Sequence, residues 1–261
     1  MHAGARQREH GFMEQQVIYG GHSTVLIQMG NAAILTDPNL STRIWTIRRQ
    51  SKPGLTQAQL DTVNLVLISH GHYDHLDLRT VQRLKRDAVV VVPRGLGRYF
   101  HRYGFRDVRT LAWWEQTTVH GMRIVAVPAK HFQGRNPLVK SQYQGYVIDG
   151  TYQVYFAGDT GWFDGFRDIG SIFRLDLALL PIGAYKPWSA FGHHMTPENC
   201  VQAMRELKAK HLIPIHWGAF RLSLEPLDEP VKRLQQSARR AGIGACVTVL
   251  EPGQLFPLHT V

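Results

Sequence analysis

"ISHGHYDHLD", Ile68 to Asp77, places three histidines and two aspartates in ten positions of a chain that has 14 histidines in 261 residues. It overlaps "NLVLIS", a short apolar run rich in β-branched residues, so the first imidazole stands where that run ends. Such a run marks a strand buried on both faces. Gathering so many polar groups behind it costs several kcal/mol unless they find partners. Neutral imidazole and carboxylate are the usual ligands of zinc and other borderline divalent metals, which supply such partners. His70 and His72 are two apart, so both side chains point the same way on an extended backbone. Asp74 and His75 follow after a turn. The order strand, loop, helix indicates a loop-borne site, unlike the HExxH pattern, which sets two histidines on one helix face.

Four candidate ligands are too many for one open catalytic metal and too few for two. His131 in "VPAKH", Asp159 in "AGDTG" and His216 in "IPIHWG" are the residues to recruit. His70, His72 and His131 would hold one metal, and Asp74, His75 and His216 the second, with Asp159 bridging. Two metals ~3.5–4 Å apart share a water, lower its pKa and clamp a phosphoryl or carbonyl oxygen. His101, His120 and His211 stand alone and are assigned no role.

Working outward, strand-like and helix-like segments alternate, which gives an α/β class without a linker or repeat. "VIYGGHSTVLIQM" followed by "AAILTDP" reads as a hairpin turning at Gly30-Asn31. "LRTVQRLKR" reads as a helix and "AVVVVP" as a buried strand. "RIVAVPAKH", "YQGYVIDGTYQVYFAGDT" and "DLALLPIG" add strands, the second a hairpin about Asp149-Gly150. Thr196 caps a helix with Pro197 at its first position and Val201, Met204 and Leu207 in its apolar stripe. A last helix spans about Pro230 to Arg240, stopped by Gly242. Buried strands whose ends carry His70, His131, Asp159 or His216 are how α/β folds build sites on a rigid scaffold. Residues 1–16 read as a mobile N-terminal extension and 17–261 as one domain.

A formal net charge of +10 favours anionic partners: phosphate-bearing substrates, anionic lipid surfaces or nucleic acid. The two cysteines, Cys200 and Cys246, are far apart, which suits a reducing cytoplasm rather than a disulfide framework. The N-terminus has no apolar stretch behind its basic residues, so no Sec signal is read there. No apolar run approaches the ~18 residues of a spanning helix, leaving peripheral membrane contact as the expectation. Trp45, Trp188 and Phe191, beside Arg43, Arg48 and Arg49, are candidate anchors to anionic lipid.

The His-x-His-x-Asp-His pattern after a buried strand resembles the metallo-β-lactamase superfamily. That resemblance implies an αββα four-layer sandwich with a binuclear site, usually zinc, with Mn2+ or Fe2+ as alternatives. Over nearly the whole chain from Val17, the stretches "GGHSTVLIQM", "LTDP", "PAKHFQGR", "LPIGAYKP", "HMTPEN" and "IHWGAF" resemble the N-acyl-phosphatidylethanolamine-hydrolysing phospholipase D group. The resemblance implies hydrolysis of a phosphodiester, with the metal ligands falling on His70, His72, Asp74, His75, His131, Asp159 and His216. It also sets His194 near the scissile phosphate, as a phosphate contact or proton donor, with His193 as its alternative. Asp37 and His22 are candidates for fixing the imidazoles. Lys186, Arg135 and Lys140 are candidates for meeting a phosphate.

The expected substrate is therefore a small-molecule or lipid phosphodiester, attacked by a metal-bridging hydroxide. A lactonase of sugar-phosphate lactonase type and an RNA-processing endonuclease share the motif and remain alternatives. A non-catalytic binding protein is disfavoured because all seven ligands are present. Nucleic acid is not the expected partner, since no RNA-binding arm, basic tail or aromatic-basic motif is present. The physiological substrate, the metal loaded and the oligomeric state, a homodimer included, stay open.

Overall fold

Residues two apart along a strand share a face, so an unbroken apolar strand has two faces to cover. In the computed structural model, which describes residues 14–132 and 142–261, two stacked sheets with helices on their outer faces meet that demand. The first half runs β1 (Gln16–Gly21), β2 (Thr24–Met29), β3 (Ala32–Thr36), β4 (Arg43–Ile44), β5 (Ile47–Arg48), α1 (Gln57–Leu60), β6 (Leu65–Leu67), α2 (Leu78–Val81), β7 (Val89–Pro93), α3 (Gly97–His101) and β8 (Val108–Leu111). The second runs β9 (Gln116–Val119), β10 (Met122–Pro128), β11 (Gln144–Asp149), β12 (Gln153–Phe156), α4 (Gly165–Ile172), β13 (Leu177–Pro181), α5 (Pro197–Leu207), β14 (His211–Ile215) and α6 (Glu229–Arg240). Finally β15 (Leu255–Pro257) returns to pair with β1.

One sheet has the order β15-β1-β2-β3-β6-β7-β8 and the other β14-β13-β12-β11-β10-β9, while β4 and β5 form a small separate hairpin. Hairpin neighbours pair antiparallel, whereas β3-β6-β7-β8 and β12-β13-β14 run parallel. The three residues of β6 show the layering at its smallest. Leu65 and Leu67 face the other sheet, where they join Ile34, Tyr146, Ile148 and Phe156, while Val66 faces the helices with Leu60, Val81 and Phe100. On the far side, Tyr155, Ala178 and Leu180 pack under Phe166 of α4, Met204 of α5 and Leu234 of α6. Each fully buried Leu or Ile contributes roughly 1.5–3 kcal/mol, so both faces of each sheet are held by apolar burial. This is the αββα sandwich.

Two elements differ from the sequence reading. "VIYGGHSTVLIQM" is two strands, not one: β1 and β2 fold back antiparallel about His22-Ser23, with a register shift between Tyr19 and Gly21. Gly21 and His22 take left-handed φ values of 97° and 60°, a sharp reversal that the paired glycines permit. The helix at "LRTVQRLKR" closes after four residues, because the Arg86 guanidinium takes up the carbonyls of Val81, Gln82 and Leu84 at its end. Strand β1 also begins one residue inside the expected extension, since Gln16 already pairs with Gln28 and Pro257. Residues 1–13 of the expected extension lie outside the described residues.

Candidate metal centre

The strands deliver their polar termini to one rim. Asp37 follows β3, His70 to His75 follow β6, His131 follows β10, Asp159 follows β12 and His216 follows β14. His22 arrives from the turn between β1 and β2, and His194 from the connection between β13 and α5. Clefts at the carboxyl ends of parallel strands are where open α/β sheets bind ligands.

His70, His72 and His131 form one cluster, and His22, Asp74, His75 and His216 another, each with potential ligand atoms within 4.8 Å of one another. Asp159 stands between them. Its Oδ2 lies 3.0 Å from His75 Nε2 and 3.1 Å from His216 Nε2 on one side, and 4.0 Å from His70 Nε2 and 3.9 Å from His131 Nε2 on the other. His72 Nδ1 faces both His70 Nε2 at 2.8 Å and His131 Nε2 at 3.1 Å. All seven residues named from the sequence therefore converge.

The outer atoms of the imidazoles are held by other groups. Asp37 is fully buried, and its carboxylate accepts from the Ser69 amide at 2.7 Å, the Ser69 hydroxyl at 2.5 Å and His75 Nδ1 at 2.6 Å. Ser69 Oγ also lies 2.9 Å from His70 Nδ1, so one carboxylate braces a histidine of each cluster. His131 Nδ1 donates to the His193 carbonyl at 3.0 Å. Asn39 Nδ2 donates to the backbone carbonyls of Asp74 and Tyr73, at 3.1 Å and 3.3 Å. Ser69 and Asn39 were not singled out from the sequence. Their signal was position alone, beside His70 and just after "LTDP".

The electrostatics favour positive charge at the centre. Burial opposes charging His216, yet the Asp159 and Asp74 carboxylates push its pKa up to about 9. Burial likewise opposes His75, which Asp159, Asp74 and Asp37 raise well above the usual imidazole range. Asp159 and Asp74 are held well below the carboxylate range by His216 and His75 against the cost of burial. Burial lowers His131 to about 3 and carries His70 well below the ordinary value. Inward atoms lack well-formed hydrogen bonds: Asp159 Oδ1 and His216 Nδ1 are buried without a partner, and His75 Nε2 and His216 Nε2 meet Asp159 Oδ2 only as close ion-pair contacts. Each such atom costs about 1–3 kcal/mol. A donor set of imidazoles and carboxylates, buried, converging and unpaired on its inner side, fits divalent cations.

His194 is buried beside the same carboxylate, clustered with His131 and Asp159, and its Nδ1 has no partner. Burial keeps it neutral, with a pKa lowered to about 4. His193 is half-buried instead, ringed by Phe132 at 4.7 Å and Phe191 at 6.5 Å. Lys186 is spoken for, its Nζ bonded to Glu229 at 2.7 Å. Arg135 and Lys140 fall outside the described residues. Arg49 is not a free anchor: it donates to the Ser41 and Asn39 carbonyls and stacks on Phe220 at 4.4 Å. Over the centre lies an open cavity of about 210 Å³, walled by Phe132, Trp188 and Leu222 and floored by His72, Asp74 and Asp159.

The fold and these converging ligands define a metal-dependent hydrolase of the β-lactamase type. The family described as "Beta-lactamase superfamily domain" matches residues 32–217, and the chain belongs to it. It is similar to an uncharacterized protein of Mycobacterium tuberculosis, 36% identical over 91% of this chain and 67% of that protein. It is also similar to the N-acyl-phosphatidylethanolamine-hydrolyzing phospholipase D 1 of Caenorhabditis elegans, 31% identical over 80% of this chain and 67% of that protein. A metal-dependent hydrolase of Thermus thermophilus is 31% identical over 93% of this chain and 99% of its own.

Proposed function

We propose that the protein is a binuclear metal-dependent phosphodiesterase, with His70, His72 and His131 holding one cation, Asp74, His75 and His216 the other, and Asp159 shared between them. The observation that carries the pairing is the placement of one Asp159 oxygen between two imidazoles of each cluster. Zinc suits this nitrogen-rich set best, with manganese and iron as alternatives. When bound, the metals would supply Lewis-acid charge and an activated water.

The chain's own groups do the rest. Asp37 and Ser69 hold His75 and His70 with their inner nitrogens turned to the centre. His194, neutral and with Nδ1 unpartnered, is placed to donate a hydrogen bond to a phosphoryl oxygen or to the departing alkoxide. Phe132 and Trp188 line the sides of the cavity and offer an apolar wall to the substituent on the phosphate. The phosphodiester reading draws further support from the similarity to the nematode enzyme.

The test is turnover of N-acyl phosphatidylethanolamine, simple diesters and lactones by metal-stripped and reloaded protein. We expect diester cleavage that vanishes on stripping and returns with about two metal equivalents per chain. Lactone cleavage without diester cleavage would assign the site to the lactonase alternative. Activity that survives complete stripping would end the metal reading.

A further inference from the structure

Asp74 is the member of the second cluster that reaches furthest into solvent, with 14% of its side chain exposed against 0% for His75 and 1% for His216. It sits on the short turn between β6 and α2, so its carboxylate needs an outside group to fix it. His22 is that group. Its Nε2 lies 3.0 Å from Asp74 Oδ2, a bond made across 52 residues of sequence. Its ring lies 4.0 Å from the His216 ring, so it backs both ligands at once.

The residue is itself held in a costly conformation. Its φ of 60° is left-handed, uncommon for a non-glycine residue. Its carbonyl explains why the turn persists, accepting from the His216 amide at 2.8 Å and from the Tyr19 hydroxyl at 3.0 Å. The ring meets Phe220 edge-on at 5.4 Å, and the Arg49 guanidinium covers that phenyl ring. Arg49 also bonds the Asn39 carbonyl, and Asn39 holds the Asp74 backbone. Backbone and carboxylate of Asp74 are thus pinned by two connected groups.

We infer that His22 is a positioning residue of the second metal subsite: its Nε2–H holds Asp74 Oδ2, the oxygen that faces His75 and His216, and its carbonyl sets the approach of His216. The inference rests on the two-metal reading proposed above. Groups that hydrogen-bond a ligand from behind typically change metal affinity by about 10–100-fold.

The experiment titrates metal-stripped wild type, His22→Ala and His22→Gln with Zn2+ against a chromophoric chelator, alongside Asp159→Ala. We expect His22→Ala to weaken one of two equivalents by about 10–100-fold and leave the other unchanged. His22→Gln, which keeps a side-chain N–H donor, should stay within a few-fold of wild type. Thermal midpoints of the stripped proteins separate this from a general loss of structure, and if His22→Ala does not fold, the affinities of His22→Gln decide. Unchanged affinities in a folded His22→Ala would overturn the inference, as would a His22→Gln that loses an equivalent outright, which would make His22 a ligand. Failure of the underlying reading looks different: wild type would take up fewer than two equivalents, or Asp159→Ala would bind as wild type does.

Discussion

Asp37 and Asp159 are both buried carboxylates, yet their surroundings assign them opposite duties. Asp37 has its lone pairs filled by two donors of Ser69 and by His75, whereas Asp159 Oδ1 is left without a partner. Asp37→Asn would turn an amide N–H2 toward donors, so we expect looser His75 and His70 and a metal affinity about 10–100-fold lower, read by chelator competition. The same change breaks a buried charge-assisted pair, which typically costs about 3–5 kcal/mol and is measurable by urea unfolding of the stripped protein. At this scale the sequence was highly legible. Dense His and Asp after an apolar strand have few physical explanations, and "VPAKH", "AGDTG" and "IPIHWG" carried the remaining candidate ligands. Choosing between His193 and His194 was beyond it, because adjacent residues in a loop differ only in direction, which packing of Phe132 and Phe191 decides.

Between residues and the whole, the connection from β13 to α5 brings Trp188 and His194 to the centre, and two anchors fix it. Gly183 at its start lies so close to the next strand's end that an added Cβ would stand 1.9 Å from the His216 carbonyl oxygen. Gly183→Ala should therefore displace His216, lowering stability by about 1–3 kcal/mol and weakening metal uptake together. Further on, Glu229 of α6 accepts from the Tyr185 hydroxyl at 2.6 Å and pairs with Lys186 at 2.7 Å and Arg233 at 3.3 Å. Its carboxyl is lowered to about 2, chiefly by Lys186 and then Tyr185. A depressed carboxyl contributes its stability above the unfolded value of about 4.3 and loses it as pH falls through the folded one. Glu229→Gln should thus cost stability at pH 7 and little near pH 2, read from urea midpoints at both. Strands and the capped helices were legible because apolar runs and Thr196-Pro197 signal locally. The β1–β2 reversal was hidden because a Gly-Gly-His turn inside an apolar stretch mimics one long strand, and the early stop of α2 because Arg86, itself part of the helix-like stretch, folds its guanidinium back onto the carbonyls before it.

Across the molecule, each half contributes candidate ligands: His70, His72, Asp74 and His75 from one sheet's rim, His131, Asp159 and His216 from the other's. Metal bound at a thousandfold excess over Kd would add about 4 kcal/mol to folding, so loading should raise the thermal midpoint by on the order of 10 °C and chelation should reverse it. Among the described residues no helix is long and apolar enough to cross a membrane. The exposed Trp45, Trp188 and Phe191, with Arg43 and Arg48 on the β4–β5 hairpin, support our proposal of peripheral contact with anionic lipid. Co-sedimentation with anionic but not neutral vesicles, reduced in Trp45→Ala, is the expected outcome. The layering itself was not readable from periodicity, since a strand apolar on both faces fits several sandwiches; only the family likeness pointed to it. Because His216 comes from β14, late in the chain, the two proposed subsites become complete at different points of the sequence: His70, His72 and His131 precede β11, whereas the set of Asp74, His75 and His216 closes only once β14 has joined its sheet.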